Sequence, residues 1–295
     1  MRIFVTGGTG FLGKYVVNEL HKKGHHVLVL SRTSHRQPGV EFLKGDMSDV
    51  SKWKKKLKLF KPDSAIHLAW EGLPSQAIDV SMKNIFGGME CIRALGEAGC
   101  KTIVVAGSDQ EYGHSGKKMK EDSLVKPYNL LFSSKVALYW LGSKLAEQYK
   151  MNFVWARIFF LYGAGQRPGA LIPYLTTSLY GGAEPEIRNP HGANDFVYVQ
   201  DAAEALVLLA TKKAKASNAI YNIASGVLTP TATIISHVYA SFKKKPPRFS
   251  KNPNGPATWV GAYADISKIK KDFGWKPKVG LEAGIKKTVK EIIAS

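Results

Sequence analysis

The segment Thr6-Gly7-Gly8-Thr9-Gly10-Phe11-Leu12-Gly13 restricts this chain more than any other. Gly8, Gly10 and Gly13 give the spacing G-x-G-x-x-G, which means little alone. Here it follows a short apolar run, Arg2–Thr6, and opens an amphipathic stretch, Phe11–His21, so it reads as strand, tight turn and helix. In that setting one glycine permits the turn, another lets backbone approach a pyrophosphate, and Gly13 lets the helix lie close against the strand. The helix N-terminus then faces the phosphates. Gly7, Thr9, Gly10, Phe11, Leu12 and Gly13 are therefore candidate dinucleotide contacts.

The following pattern alternates in the same way. His26–Leu30, Val40–Leu43, Ala65–Leu68 and Thr102–Ala106 read as strands. Helices are expected over Ser51–Phe60, within Ser75–Ala98 and over Phe132–Gln148, with a further strand at Phe153–Ile158. Gly, Pro and short elements fill Tyr162–Asn194. Asp201–Thr211 again reads as helix, Ala219–Ile223 as strand, and the tail as several helices between Pro/Gly breaks. The expected fold is α/β, a Rossmann doubly wound parallel sheet with a smaller discontinuous α/β substrate lobe. Residues 1–161 with 195–223 are assigned to the dinucleotide-binding domain, and 162–194 with 224–295 to the lobe.

Charge raises a competing reading. The 295 residues include 42 Lys+Arg against 23 Asp+Glu, a net charge of +19. Nucleic acid would suit such a surface, but the lysines are scattered. The densest run, Lys52–Lys58, carries apolar residues at helical spacing and reads as one solvated helix face. No nucleic-acid partner is expected, and a positive surface equally attracts anionic dinucleotides and sugar nucleotides. Cys91 and Cys100 lie near no cluster of metal-ligand spacing, so neither a disulfide framework nor a metal site is expected. No apolar stretch is long enough to span a bilayer, and the chain starts directly on a strand-like run. No membrane association, a cytoplasmic location and a homodimer are expected.

An acidic residue at the end of the second strand normally accepts a ribose 2′-hydroxyl of NAD. This chain has Ser31-Arg32 there. A guanidinium pairs well with a 2′-phosphate, so NADP is the expected cofactor, with NAD as the alternative. Asp46 and Met47, after the third strand, are candidates to flank the adenine, with a plain surface turn as the alternative.

The assembled motifs resemble the extended short-chain dehydrogenases/reductases, the sugar-nucleotide epimerase/dehydratase family. Thr6–Gly13 is similar to that family's T-G-x-x-G-x-x-G. Gly45-Asp46, His67-Leu68-Ala69, Asn84, Ser108 before Tyr112-Gly113, Ser134-Lys135, Arg157–Gly163, Asp195–Asp201, Asp265–Lys268 and Phe273–Pro277 match further segments. The resemblance covers essentially the whole chain. It implies a nucleotide-sugar substrate, adds Leu68 and Ala69 to the cofactor contacts, and gives Ser108 and Lys135 roles in hydride transfer.

One position departs from it. The family uses Tyr-x-x-x-Lys, which puts both side chains on one helix face, where the ammonium lowers the phenol's pKa. Here the motif reads Leu131-Phe132-Ser133-Ser134-Lys135. Three explanations stand: Tyr128 serves instead, Asp109 serves instead, or the protein binds without catalysing. Lys135 keeps a cofactor role in each, bonding the nicotinamide ribose. Dehydratases of the family have T-D-E where this chain has Ser108-Asp109-Gln110, and an amide cannot abstract a proton, so dehydration is disfavoured. An alternating backbone would aim Glu111 elsewhere.

The substrate contacts also differ. Phe160 stands where the family often has Asn, as in some 4-ketoreductases, and Asn194 where an Arg usually precedes D-F-x-Y-V. Arg188 and Arg167 are the candidate replacements for that arginine, with plain surface positions as the alternative. Trp70 is a candidate to narrow the pocket near the nicotinamide, with a core position as the alternative. The resulting expectation is an NADP(H)-dependent reductase or epimerase acting on a nucleotide-activated 4-keto deoxysugar. A catalytically impaired dinucleotide-binding protein of the same fold is the alternative.

Overall fold

The computed structural model describes residues 1–187, 189–212, 217–249 and 260–294. Its centre is a seven-stranded sheet built from β1 (Arg2–Thr6), β2 (His26–Ser31), β3 (Val40–Lys44), β4 (Ser64–His67), β5 (Thr102–Ser108), β7 (Asn152–Ile158) and β10 (Ala219–Ile223). The order is β3-β2-β1-β4-β5-β7-β10, and every neighbouring pair is parallel.

Period-two alternation explains why these strands read as unbroken apolar runs. Ile3 and Val5 face α1 (Phe11–Lys22) and α6 (Val199–Thr211), whereas Phe4 between them faces the other layer. That second layer holds α2 (Lys54–Phe60), α3 (Ile78–Glu97) and α4 (Leu130–Gln148), through Leu57, Ile92 and Leu138 among others. The lysine-rich run behaves as its spacing predicts: Trp53 and Leu57 are buried while Lys54, Lys55, Lys56 and Lys58 are exposed. It is split into a short 3₁₀ turn, Val50–Lys52, and α2, rather than one helix from Ser51.

The strand order reverses direction between β1 and β4. A crevice opens there, at the carboxyl ends of the strands. The ends are joined, with Thr6 Oγ1 and His67 Nδ1 2.7 Å apart.

A smaller sheet, β11-β9-β8, comprises β8 (Phe160–Tyr162), β9 (Ala193–Tyr198) and β11 (Leu228–Pro230). Thus residues 195–198, assigned from sequence to the large domain, pair within the small sheet, while α6 and β10 join the large one. Helices α5 (Leu171–Tyr180), α7 (Thr231–Ser241) and α9 (Leu281–Ile293) share a core with the small sheet. Two residues at β6 (Lys118–Met119) pair with β12 (Tyr263–Ala264), just before α8 (Ser267–Phe273). The buried Asp195 carboxylate gathers these pieces, accepting from the N–H groups of Ser225, Gly226 and Ala264 at 2.8–3.1 Å. Among the described residues no helix is long and apolar enough to cross a membrane.

Candidate active site and cofactor cleft

A cavity of about 670 Å³ runs across the carboxyl ends of β1, β2, β4 and β5. At one end the glycine turn forms its floor. Gly7 has φ +72°, which glycine adopts without strain, and a Cβ there would lie 2.7 Å from the Ala69 nitrogen. A Cβ on Gly13 would lie 2.0 Å from the Gly7 carbonyl oxygen, so α1 can approach the turn only with glycine there. Gly10 is the N-cap of α1, and no side chain caps that end. The helix therefore offers its first N–H groups to an anion, and the bare backbone around Gly7 and Gly10 fits a dinucleotide pyrophosphate.

Ser31, Arg32, Asp46 and Met47 line the far side of this end. Ser48 bonds Asp46 Oδ1 through its N–H at 2.8 Å and its hydroxyl at 2.6 Å, and these bonds lead in holding the Asp46 carboxyl below its ordinary value. Leu68, Ala69 and Trp70 follow β4 into the cavity.

The other end is built from β5, α4 and β8. Strand β5 continues two residues beyond the expected Ala106, so Ser108 is its last residue and the N-cap of a one-turn helix, Asp109–Tyr112. Ser108 Oγ accepts from the Gln110 N–H at 3.2 Å and donates to Asp109 Oδ1 at 3.2 Å. Gln110 Nε2 donates to the other Asp109 oxygen. Asp109 is 5% exposed, and burial pushes its carboxyl up to about 7. Lys135, 7% exposed, donates to the Ala106 carbonyl at 3.0 Å and lies 4.2 Å above the Trp70 ring; burial pulls its ammonium down to about 8. Two groups with opposite tendencies are thus brought toward neutrality in one cleft. His67, between the two ends, is pulled down to about 4 by burial and then by the charge of Lys135, so it is neutral.

Glu111 does not line the cavity, but strand alternation is not the reason: it sits in the one-turn helix Asp109–Tyr112, which turns it back onto the Ser108 backbone. Its carboxylate accepts from Arg157 Nε at 2.8 Å and from Trp155 Nε1, and it closes a capping box on the Ser108 N–H at 2.8 Å. It is a structural anion beneath the site.

The sequence profile of the NAD dependent epimerase/dehydratase family matches residues 3–224. The chain belongs to that family. Among curated relatives, a mouse (Mus musculus) dTDP-D-glucose 4,6-dehydratase is 26% identical over 98% of this chain and 87% of its own length. A rice (Oryza sativa subsp. japonica) UDP-glucose 4-epimerase 3 is 26% identical over 95% and 86%. The Thermus thermophilus UDP-glucose 4-epimerase, solved in complex with NAD, superposes with a TM-score of 0.86 at 25% identity, covering 100% of both chains.

Within this family member, the residues expected at the cofactor all line one cavity, and Ser108, Asp109, Lys135, Trp70 and Phe160 join them there. Tyr128 does not. Asn129 caps α4 by accepting from the Phe132 N–H, so the helix starts at Leu130 and Tyr128 lies outside it. Tyr128 is absent from the cavity lining and bonds Gln110 Oε1 at 3.1 Å; burial and then the Asp109 charge push its phenol upward, the wrong direction for a base. Leu131 is buried and does not line the cavity, whereas its neighbour Phe132 does.

Asn194 also requires correction. Strand β9 pairs it with Thr229 and buries it away from the cavity. Arg188 lies outside the described residues, but Arg167, the other expected cation, lines the cavity with Gln166. Glu71, Lys83 and Ser48 were missed as lining residues. Lys83 had one usable signal, its position next to the family-like Asn84.

Proposed function

We propose that this chain is an NADP(H)-linked reductase or epimerase of nucleotide-activated 4-keto deoxysugars, in which Asp109 takes over the proton transfer normally made by tyrosine. The observation that carries this reading is the hydrogen bond from the half-buried Ser108 to the buried Asp109, in the cavity that Lys135 also lines. When bound, the nicotinamide exchanges hydride with a sugar carbon. In the reductive direction Asp109 is protonated and the bond to Ser108 reverses, the carboxyl donating to Oγ; Ser108 gives its hydroxyl proton to the sugar oxygen and takes the Asp109 proton in its place, leaving the carboxylate. Gln110 holds that carboxylate, and the Lys135 ammonium holds the ribose and adds positive charge beside the developing oxyanion. Phe160 shapes the sugar pocket, and Arg167 supplies a cation for the diphosphate.

The mouse and rice relatives act on nucleotide sugars by name, which supports the substrate class. Arg32, without an acid beside it on β2, supports the cofactor choice. A second copy of the chain is the proposed partner. Ile78, Met82 and Phe86 form an exposed stripe on α3, and Trp140 and Leu141 are exposed on the adjacent α4. The proposed location is cytoplasmic.

Turnover with a panel of nucleotide 4-keto sugars tests the reaction. Fluorescence titration tests the cofactor: NADPH should bind more tightly than NADH, and Arg32→Ala should erase most of the difference. Equal affinities in the unmodified protein defeat the preference. The alternative, a dinucleotide-binding protein without catalysis, is favoured by Leu131. It gains the argument if the unmodified protein is inactive and Leu131→Tyr alone creates sugar-dependent turnover.

A further inference from the structure

Strand β2 ends without an acid, but a carboxylate reaches its end from elsewhere. Glu71 follows β4, and its backbone is fixed by Asn84: the Glu71 N–H donates to Asn84 Oδ1 at 2.7 Å, and Asn84 Nδ2 donates to the Glu71 carbonyl at 3.0 Å. The side chain is thereby held between two cations. Glu71 Oε1 lies 3.5 Å from Arg32 Nη1, and Oε2 lies 2.7 Å from Lys83 Nζ. All three side chains line the cavity at its Ser31 end.

Each half of this trio suits a different ribose. A 2′-hydroxyl donates to a carboxylate, whereas a 2′-phosphate requires cations and repels one. We infer that Glu71 is the cofactor selector: it stands in for the acid missing from β2 toward an unphosphorylated ribose, and it competes with a 2′-phosphate for Arg32 and Lys83. Lys83 becomes a second phosphate ligand. The exchange is accessible because the Glu71 side chain is 40% exposed, so water replaces the cations it gives up, and exposed ion pairs are weak. The same carboxylate that keeps NADH usable narrows the margin in favour of NADPH. This rests on the reading that the Ser31–Arg32 end receives the adenosine half of the cofactor.

Isothermal titration of NADH, NADPH, 5′-ADP and 2′,5′-ADP into the unmodified protein, Glu71→Gln and Lys83→Ala tests it, with equal melting temperatures confirming that each variant is folded. Glu71→Gln should tighten NADPH and 2′,5′-ADP by about tenfold while weakening NADH severalfold. Lys83→Ala should weaken NADPH and 2′,5′-ADP by about tenfold and change NADH less than about twofold. If Glu71→Gln shifts both cofactors equally, or neither, the selector role is overturned. If the unmodified protein prefers NADH and Glu71→Gln reverses the order, the selector stands and the NADP(H) preference proposed above falls. If neither dinucleotide nor either fragment binds the unmodified protein, both are wrong.

Discussion

At the α1 end of the cavity a single added methyl on Gly13 would sit 2.0 Å from a carbonyl oxygen, whereas at the α4 end a leucine fills the position of the family's phenol and the helix continues intact. The first end is shaped by backbone against backbone, so residue type is dictated by sterics. The second is shaped by side chains that bond to one another, and these can be exchanged while the fold persists. The cleft can therefore keep its shape while a side chain at its α4 end is exchanged.

The largest test of this contrast is at the α4 end. Asp109→Asn should lower sugar-dependent turnover by about 10²–10⁴-fold with cofactor affinity unchanged, since positioned acid–base groups contribute on that scale. Adding Leu131→Tyr to that variant should restore turnover, and Leu131→Phe should not. Full activity in Asp109→Asn alone would show that the proton comes from elsewhere.

The opposite pattern is expected at the α1 end. Gly13→Ala should cost about 3 kcal/mol of stability, because overpacking against backbone cannot relax cheaply. Thermal unfolding with and without NADPH reads both that loss and the loss of cofactor stabilisation. An unchanged melting temperature would mean the turn is looser than the contact implies.

A smaller effect follows from pH. Asp109 donates only while protonated, so kcat/KM for reduction should fall about tenfold per pH unit above about 7, the value at which it loses its proton. The same shift acts on stability. Because the folded carboxyl holds its proton more tightly than the unfolded one, its contribution is fully present below the ordinary carboxylate range near 4 and is lost as pH rises through about 7. Asp109→Asn should flatten that slope. The smallest change belongs to Tyr128→Phe, which removes only a hydrogen bond to Gln110 and should alter turnover by less than about threefold.

What the sequence disclosed follows the same division. Thr6–Gly13 was legible because only glycine satisfies its geometry, and the central strands because both their faces are buried. The extent of β5 was hidden, since Gly107-Ser108 ends the apolar run while the backbone pairing with Arg157 and Ile158 continues. Tyr128 lies outside the cavity lining because the Asn129 cap starts α4 at Leu130, just after it. Asn194 shows that matching a motif position does not place a side chain in the cleft, because the β9–β11 pairing settles its burial. The Arg32–Glu71–Lys83 trio brings the end of β2 to Glu71 and Lys83, 39 and 51 residues later, and no local pattern announces such a meeting.

The seventh strand arrives late. β7 ends at Ile158, but β10, which pairs with it, starts only at Ala219, about 60 residues later, or ~3–12 s at ribosomal rates of ~5–20 residues per second. During that interval the nascent sheet offers β7 as an open edge, a template for any other extended chain nearby. Nascent chains halted before residue 219 should therefore associate with one another or with chaperones, whereas those that include β10 close the edge by themselves.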